Sequence, residues 1–291
     1  MTDQSAQNMI AFQGEYGAYS DLACRQCHPD MTTLPCRTFD DAFAAVREGH
    51  AKYAMIPIEN SLAGRVADIH HLLPESGLHI IGEHYQRINH HLLALPGSKL
   101  EDVKEVYSHV HALNQCRDFL KQHGIKPVVA VDTAGSAKDI SGSTDRTKGV
   151  IASALAGEIY GLQSLAADIE DAEHNTTRFV VMAQDPVIPA FDQEDVVTSF
   201  VFRVRNVPAA LFKALGGFAT NGINITKLES YIVDGTFIAA QFYADCEAHP
   251  DSRDLKLALE ELEFFTQNVK ILGVYPAHAY RLAQRSQLSD E

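Results

Sequence analysis

Short apolar runs alternate with helix-like stretches over the first 185 or so residues. The run 9–12 predicts a buried strand, and Ser20, after a glycine turn, is placed to cap a helix. Residues 53–58 predict another strand, which stops at the polar cluster 59–61. The order of strand, turn and helix recurs as far as a last strand at 178–182. This pattern predicts an α/β region in which several helix N-termini are available to anions.

The pattern changes after a segment with two prolines, 185–189, which is typical of a linker. We place a domain boundary near residue 190. The apolar positions beyond it predict the order βαββαβ, which is the ferredoxin-like α+β arrangement. The predicted elements are a strand at 196–204, a helix at 209–219, strands at 223–233 and 237–245, a helix at 255–265 and a strand at 269–274.

Length and charge narrow the classes of protein. At ~100–200 residues per domain, 291 residues suit two domains. The 24 basic and 38 acidic residues give a net charge of −14, so no nucleic-acid partner and no anionic membrane partner is expected. No apolar stretch approaches the ~18 residues of a membrane span, and the polar start lacks the pattern of a signal peptide. Five scattered cysteines are typical of reduced thiols, so we expect a cytoplasmic protein.

Three polar clusters lie at predicted strand ends: 59–61, then Ser108 and His109 with Gln115 in the following helix, and 175–178. Each cluster taken singly is also explained as a helix cap or a turn. Only a fold that brings the clusters together would make them a site.

Metal and cofactor motifs are not found in the sequence. The histidine doublets at 70–71 and 90–91 would not face a common ligand from a helix. No complete dinucleotide, Walker A, serine-hydrolase or zincin motif occurs. The residues alone therefore indicate an α/β protein with a polar cleft, no metal and no cofactor.

Three motifs, in this order along the chain, resemble those of prephenate dehydratases. They are Pro57-Ile58-Glu59-Asn60-Ser61 with Gly64 and Val66, then Tyr107-Ser108-His109 with Gln115-Cys116, and Asn175-Thr176-Thr177-Arg178-Phe179. The resemblance runs from about residue 9 to residue 279. It implies a two-lobed catalytic domain like type II periplasmic binding proteins at 8–185 and an ACT regulatory domain at 195–279. No chorismate mutase-like segment precedes Met9, so the monofunctional form is expected.

The resemblance also implies a reaction and a set of site residues. Prephenate would lose water and carbon dioxide to give phenylpyruvate in L-phenylalanine biosynthesis. Thr177 falls on the family's catalytic threonine, and Asn60, Gln115 and Ser108 would orient the substrate, while Glu59 would position Asn60 or ionise in the site. The expected substrate-binding residues are Arg178, Thr133, Ser136 and Ser20. Arg178 has an alternative interpretation, a salt bridge that holds its strand.

The chain departs from the family pattern in places. The usual opening Gly-Pro-x-Gly-Thr-Phe-Ser is Gly-Glu-Tyr-Gly-Ala-Tyr-Ser at 14–20. In the ACT part, 208–211 is Pro-Ala-Ala-Leu in place of Pro-Gly-Ala-Leu, and 228–232 stands for a Glu-Ser-Arg-Pro motif without its Arg and Pro. Feedback regulation by L-phenylalanine, bound at the junction of two subunits, would require a homodimer or homotetramer. The effector-binding candidates are Ala210, Leu211, Gly222, Asn224, Leu228, Glu229 and Ser230.

Two other functions are compatible with the same residues. Arogenate dehydratase performs the same elimination on the amino-acid analogue of prephenate. A non-catalytic amino-acid sensor would combine binding-protein-like lobes with an ACT domain, but it would give Thr177, Asn60 and Gln115 no reason to occur together.

Overall fold

A computed structural model describes residues 8–232 and 239–289. The elements of the first part of the chain, in order, are β1 (Met9–Gln13), α1 (Tyr19–Cys27), β2 (Thr32–Cys36), α2 (Phe39–Arg47), β3 (Tyr53–Asn60), β4 (Gly64–Arg65), α3 (Ala67–Leu72), β5 (His79–Arg87), β6 (His91–Ala94), β7 (Glu105–Ser108), α4 (Val110–Gln115), α5 (Arg117–His123), β8 (Lys126–Val129), α6 (Thr133–Ser141), β9 (Lys148–Ala152), α7 (Ala154–Tyr160), β10 (Gln163–Ala166) and β11 (Thr176–Ala183).

The remaining elements form the predicted βαββαβ order and are followed by a helix. They are β12 (Val196–Val204), α8 (Ala210–Thr220), β13 (Ile225–Ile232), β14 (Ala239–Cys246), α9 (Arg253–Phe265), β15 (Thr266–Pro276) and α10 (Ala279–Ser289). The predicted strand end at 233 and strand start at 237 lie outside the described residues.

Contacts between residues divide the described part of the chain into two compact units. The first contains the described residues up to 65 and those from 85 to 179, and the second contains 66–84 and the described residues from 180 onward. This division does not test the domain bounds 8–185 and 195–279, which stay a prediction.

The first unit holds two sheets. In one, strands follow the order β11-β3-β1-β2, and β1 is parallel to both β2 and β3 because each is reached through a helix. The other has the order β10-β6-β9-β7-β8. Helices α4 and α5 contribute apolar side chains to a core with Leu92 and Ile151, and α6 and α7 do so with Leu93 and Val150. Since neighbouring residues of a strand face opposite ways, the second sheet is covered on both faces.

The second unit contains an antiparallel sheet in the order β13-β14-β12-β15, with β5 beside β15 at Gly273. Buried aromatic side chains of the strands, Phe200, Phe202 and Phe242, pack with Phe218 of α8 and Leu262 of α9. The fold class predicted from the sequence, α/β followed by an α+β region of order βαββαβ, is confirmed.

One helix start differs from its prediction. Helix α1 begins at Tyr19, its N-cap is Ala18, and no side chain caps it, so the predicted capping role of Ser20 is wrong. The buried carboxylate of Asp21 accepts a hydrogen bond from the Gly17 N–H at 2.8 Å and stabilises the preceding turn instead. Ser20 lies in the first turn of the helix.

A buried ion pair anchors the last helix within the second unit. Arg281 of α10 donates from Nε and Nη2 to the two carboxylate oxygens of Glu83, each at 2.9 Å, and from Nη1 to Thr226 Oγ1 at 3.0 Å. The Glu83 side chain is fully buried. The described part of the chain contains no helix long and apolar enough to cross a membrane.

Candidate active site

A serine between β3 and β4 joins these strands to the start of β11. The Ser61 N–H donates to the Thr176 carbonyl at 2.9 Å, and the Thr176 N–H donates to Ser61 Oγ at 3.0 Å. Ser61 Oγ in turn donates to the His174 carbonyl at 2.7 Å. These bonds bring Asn60 and Thr177 side by side, although they are 117 positions apart in the sequence.

The orientation of the Asn60 amide is fixed by the backbone. Its Oδ1 accepts the N–H groups of Leu62 and Ala63 at 3.0 and 2.8 Å, and a backbone N–H can only donate. Its Nδ2 therefore donates, to Asn175 Oδ1 at 2.8 Å and to Thr177 Oγ1 at 2.9 Å. Thr177 accepts this bond, so its own hydroxyl proton remains available to a substrate.

Gln115, at the end of α4, extends the same polar cluster toward the second sheet. Its Oε1 accepts from Asn175 Nδ2 at 3.0 Å and lies 2.9 Å from His90 Nε2. Its backbone carbonyl accepts the Asp171 N–H at 2.6 Å, and the Asp171 carboxylate accepts two N–H groups at the start of α5. Within residues 8–232 and 239–289 the Gln115 Nε2 group has no hydrogen-bond partner, so two donors are available at the site.

Glu59 and Arg178 form an ion pair next to this cluster. Arg178 Nη1 donates to Glu59 Oε1 at 2.9 Å, and the arginine side chain is only 3% exposed. The pairing is the salt-bridge alternative left open by the sequence. Its electrostatic effect is to compensate the charge of Glu59 beside Asn60.

Ser108 and Ser136 do not join the cluster. The Ser108 side chain is fully buried and donates to the Ile151 carbonyl at 2.6 Å, which ties β7 to β9. Ser136 Oγ donates to the Asp132 carbonyl at 2.6 Å, one turn earlier. The Asp132 carboxylate accepts the Gly135 N–H, so it occupies the N-terminus of α6 that was expected to receive a substrate carboxylate.

Thr133 and Ser20 keep hydroxyl groups without a hydrogen bond in the portion of the chain that the structure describes. Both are half-buried, Thr133 in the first turn of α6 and Ser20 in the first turn of α1. They are therefore the remaining hydroxyl donors among the four expected substrate-binding residues.

The glycine turn before α1 touches α7 of the second sheet. Gly17 has φ +85°, and a Cβ there would lie 2.6 Å from Ala156 Cα. Ser153 Oγ donates to the Gly17 carbonyl and also accepts the Ala156 N–H as the cap of α7. Only glycine fits this close approach, which explains why the turn keeps it.

The sequence motifs missed three residues of the polar cluster as site residues: Asn175, His90 and Tyr19, whose hydroxyl lies 2.9 Å from His90 Nδ1. Asn175 stood within the quoted Asn-Thr-Thr-Arg motif, which was the available signal. In the sequence, His90 stands out only as part of a histidine doublet that suggests a metal ligand. No group of three or more histidine, cysteine or acidic side chains in the described residues is arranged to hold a metal.

Most of the effector-binding candidates lie at the edge strand β13 or just before it. Gly222, Asn224, Leu228 and Ser230 are exposed, and Glu229 pairs with Lys227 at 3.3 Å. Ala210 is the buried first residue of α8, and Leu211 packs on the core of the second unit. The preceding Ala209 has φ +58°, a left-handed conformation that favours glycine.

Comparison with known proteins assigns this arrangement to a family. The family model of prephenate dehydratase matches residues 10–187, the span that contains the whole polar cluster. The chain belongs to the prephenate dehydratase family. It is therefore a lyase, as the resemblance implied, and the family serves the biosynthesis of aromatic amino acids.

Two relatives and two solved structures are similar to this chain over most of its length. A bifunctional N-acyl-homoserine lactone acylase/prephenate dehydratase of Komagataeibacter europaeus is 50% identical over 95% of this chain and 99% of its own. Arogenate dehydratase/prephenate dehydratase 1 of Arabidopsis thaliana is 40% identical over 94% of this chain and 73% of its own. A structure described as a novel type of quorum quenching acylase, GqqA, has a TM-score of 0.88 at 51% identity and covers 94% of this chain and 99% of that one. Prephenate dehydratase of Arthrobacter aurescens in complex with L-Phe has a TM-score of 0.84 at 28% identity and covers 97% and 98%.

Proposed function

We propose that this enzyme converts prephenate into phenylpyruvate, water and carbon dioxide. The observation that carries the proposal is the Thr177 hydroxyl, which accepts from Asn60 and so directs its own proton away from it. As the C4–O bond of prephenate breaks, negative charge develops on the leaving oxygen, and a fixed O–H donor stabilises that charge. The bond from C1 to the carboxylate breaks with it, and its electron pair completes the aromatic ring. The carboxylate leaves as carbon dioxide, and the departing hydroxide takes a proton from solvent to become water.

The other residues of the proposed site bind and orient the substrate. The two N–H donors of Gln115 and the hydroxyls of Thr133 and Ser20 suit the carboxylates and carbonyl of prephenate. Glu59 would repel a dianion if it stood alone, but its pairing with Arg178 compensates this charge. In this proposal Arg178 acts on the substrate through its charge, while Ser108 and Ser136 hold the backbone around the site.

We further propose that residues 195–279 form an ACT domain that binds L-phenylalanine between subunits of a homodimer or homotetramer. The exposed residues at the edge strand β13 support this, and so does the L-Phe complex of the Arthrobacter aurescens enzyme. Sedimentation with and without L-phenylalanine tests it. A monomer at all concentrations, with unchanged activity, would contradict it.

Arogenate is the alternative substrate, and the plant relatives with that name support it. Comparing kcat/KM for prephenate and arogenate with the same preparation decides between them. The Komagataeibacter europaeus relative, similar over both whole chains, favours a further assay for hydrolysis of N-acyl-homoserine lactones. A cytoplasmic location is also proposed, supported by the free cysteines at 24, 27, 36, 116 and 246.

The decisive experiment follows phenylpyruvate by its absorbance in alkali, with wild type, Thr177→Ala and Thr177→Ser. We expect Thr177→Ala to lower kcat by about 10²–10³-fold with substrate binding largely kept, because the donor to the leaving oxygen is lost while Asn60 Nδ2 keeps its bond to Asn175 Oδ1. Thr177→Ser retains the hydroxyl and is the matched control. Wild type that binds both substrates and converts neither would move the assignment to an amino-acid sensor.

A further inference from the structure

His90 is a buried imidazole directly behind Gln115. The residue is 2% exposed, its Nε2 lies 2.9 Å from Gln115 Oε1, and its Nδ1 lies 2.9 Å from the Tyr19 hydroxyl. Its backbone N–H donates to Glu170 Oε2 at 2.8 Å, and its carbonyl accepts the Ile169 N–H at 3.0 Å. The ring is thus held at both nitrogens, and the backbone is held at both polar groups.

The position of the imidazole proton follows from the fixed amide of Asn60. Because Asn60 Nδ2 donates to Asn175 Oδ1, the other end of the Asn175 amide, Nδ2, faces Gln115 and donates to its Oε1. Gln115 therefore presents an oxygen, which carries no proton, to His90 Nε2. A hydrogen bond between these two atoms requires the proton on Nε2.

Tyr19 provides the partner of the opposite ring nitrogen. Burial lowers the pKa of His90, and the hydrogen bond to Gln115 acts in the opposite direction. The Tyr19 hydroxyl donates its one proton to the Asn89 carbonyl at 2.6 Å, so that it cannot also donate to Nδ1, and its oxygen lies 2.9 Å from that nitrogen.

We propose that His90 is a positioning residue for the dehydratase reaction: its Nε2–H holds Gln115 Oε1 and so turns the Gln115 N–H₂ group toward the substrate. The inference rests on the proposed function of the same site. His90 lies outside the three motifs and acts beside Asn175, whose Nδ2 donates to the same Gln115 oxygen.

The chemical consequence concerns the sign of the Gln115 dipole. A reversed amide would direct Oε1 at a substrate with two carboxylates and a leaving hydroxide, and would repel them. The correct orientation offers two N–H donors to the same groups. His90 acts on the reaction only through Gln115, without touching the substrate.

Two amide variants of His90 separate this role from packing. The amide nitrogen of glutamine reaches about the place of histidine Nε2, whereas that of asparagine reaches only the place of Nδ1. We expect His90→Asn to lower kcat/KM by about tenfold and His90→Gln to stay within about threefold of wild type. Both variants keep a neutral polar group, so thermal unfolding of each shows whether folding is affected.

A double-variant cycle tests whether His90 acts through Gln115. In a Gln115→Met background, which removes the oriented amide, His90→Asn should have an effect of less than about twofold. An equal loss in both backgrounds would overturn the proposal. So would His90→Gln no more active than His90→Asn, or His90→Asn as active as wild type, when all are folded.

The tautomer is measured without any turnover. In ¹⁵N-labelled protein, the His90 signals, assigned by their loss in His90→Gln, should show a proton on Nε2 at neutral pH. A proton on Nδ1 with Nε2 bare would refute the inference. Wild type inactive on both substrates would instead reject the proposed function and leave the NMR result standing.

Discussion

Replacing Asn60 by aspartate reverses one hydrogen bond of the site while keeping the size of the side chain. The new carboxylate still accepts the N–H groups of Leu62 and Ala63, but it can no longer donate to Thr177 Oγ1 or to Asn175 Oδ1. The Thr177 hydroxyl then donates to the carboxylate. Its proton is turned away from the position at which the leaving hydroxyl would be.

The size of the effect follows from the number of donors changed. The transition state loses one fixed donor, which corresponds to about 10²–10³-fold in kcat, or ~2.7–4 kcal/mol. The folded state loses the bond to Asn175 and keeps the bond between residues 60 and 177 in reversed direction. We therefore expect the free energy of unfolding to fall by only about 1–3 kcal/mol.

The assay measures kcat and KM for prephenate, with unfolding in urea followed in parallel. Asn114→Asp is the matched control, because Asn114 is exposed, precedes Gln115 and receives the same new charge. We expect the control to remain within about twofold of wild type. If Asn60→Asp kept kcat within about threefold while folded, the orientation of Thr177 by Asn60 would not matter to the reaction, and the reasoning would be wrong.

Three further predictions concern stability, each measured by denaturant unfolding. Arg281→Met should lower the free energy of unfolding by about 3–5 kcal/mol, because buried Glu83 loses the guanidinium that pairs with it. Arg285 has a side chain that is 57% exposed, so the control Arg285→Ala should lower the free energy of unfolding by less than about 1 kcal/mol. Equal losses in the two variants would contradict this reasoning. Ala209→Gly should stabilise by about 1 kcal/mol because it relieves a left-handed alanine, and a destabilised variant would argue against strain. Burial lowers the pKa of His90 in the folded state, so the contribution of its neutral ring to the free energy of unfolding is lost as pH falls below about 6.5. His90→Gln should therefore reduce the fall in stability between about pH 7.5 and 5.5. An unchanged fall would disprove the connection between His90 and this pH dependence.

The apolar pattern predicted the architecture well because each element has a local signal. The strand predicted at 53–58 is the core of β3, and the βαββαβ order of the second region is complete. The cap assigned to Ser20 failed because serine's preference for caps is local, while the turn at Gly17 is set by Asp21 and by the distant Ala156. Long-range contacts of this kind leave no mark at either position in the sequence.

The site was predictable only as far as the motifs reached. They contained Asn60, Gln115 and Thr177, which the structure brings into one cluster. They did not contain His90, whose only conspicuous sequence feature was an adjacent histidine that suggested a metal. The Ser108 hydroxyl donates to the Ile151 carbonyl because β7 pairs with β9. The spacing of residues within the motif does not show this pairing.

The path from Tyr19 to Thr177 has a consequence for the order of folding. Its links join positions 71, 60 and 117 apart, from Tyr19 to His90, from Gln115 to Asn175 and from Asn60 to Thr177. Contacts so distant in sequence form only after the intervening chain has been organised. Turnover should therefore be among the last properties to appear on refolding, after the helices have recovered, and no amino-terminal fragment ending before residue 175 can contain a working part of the site.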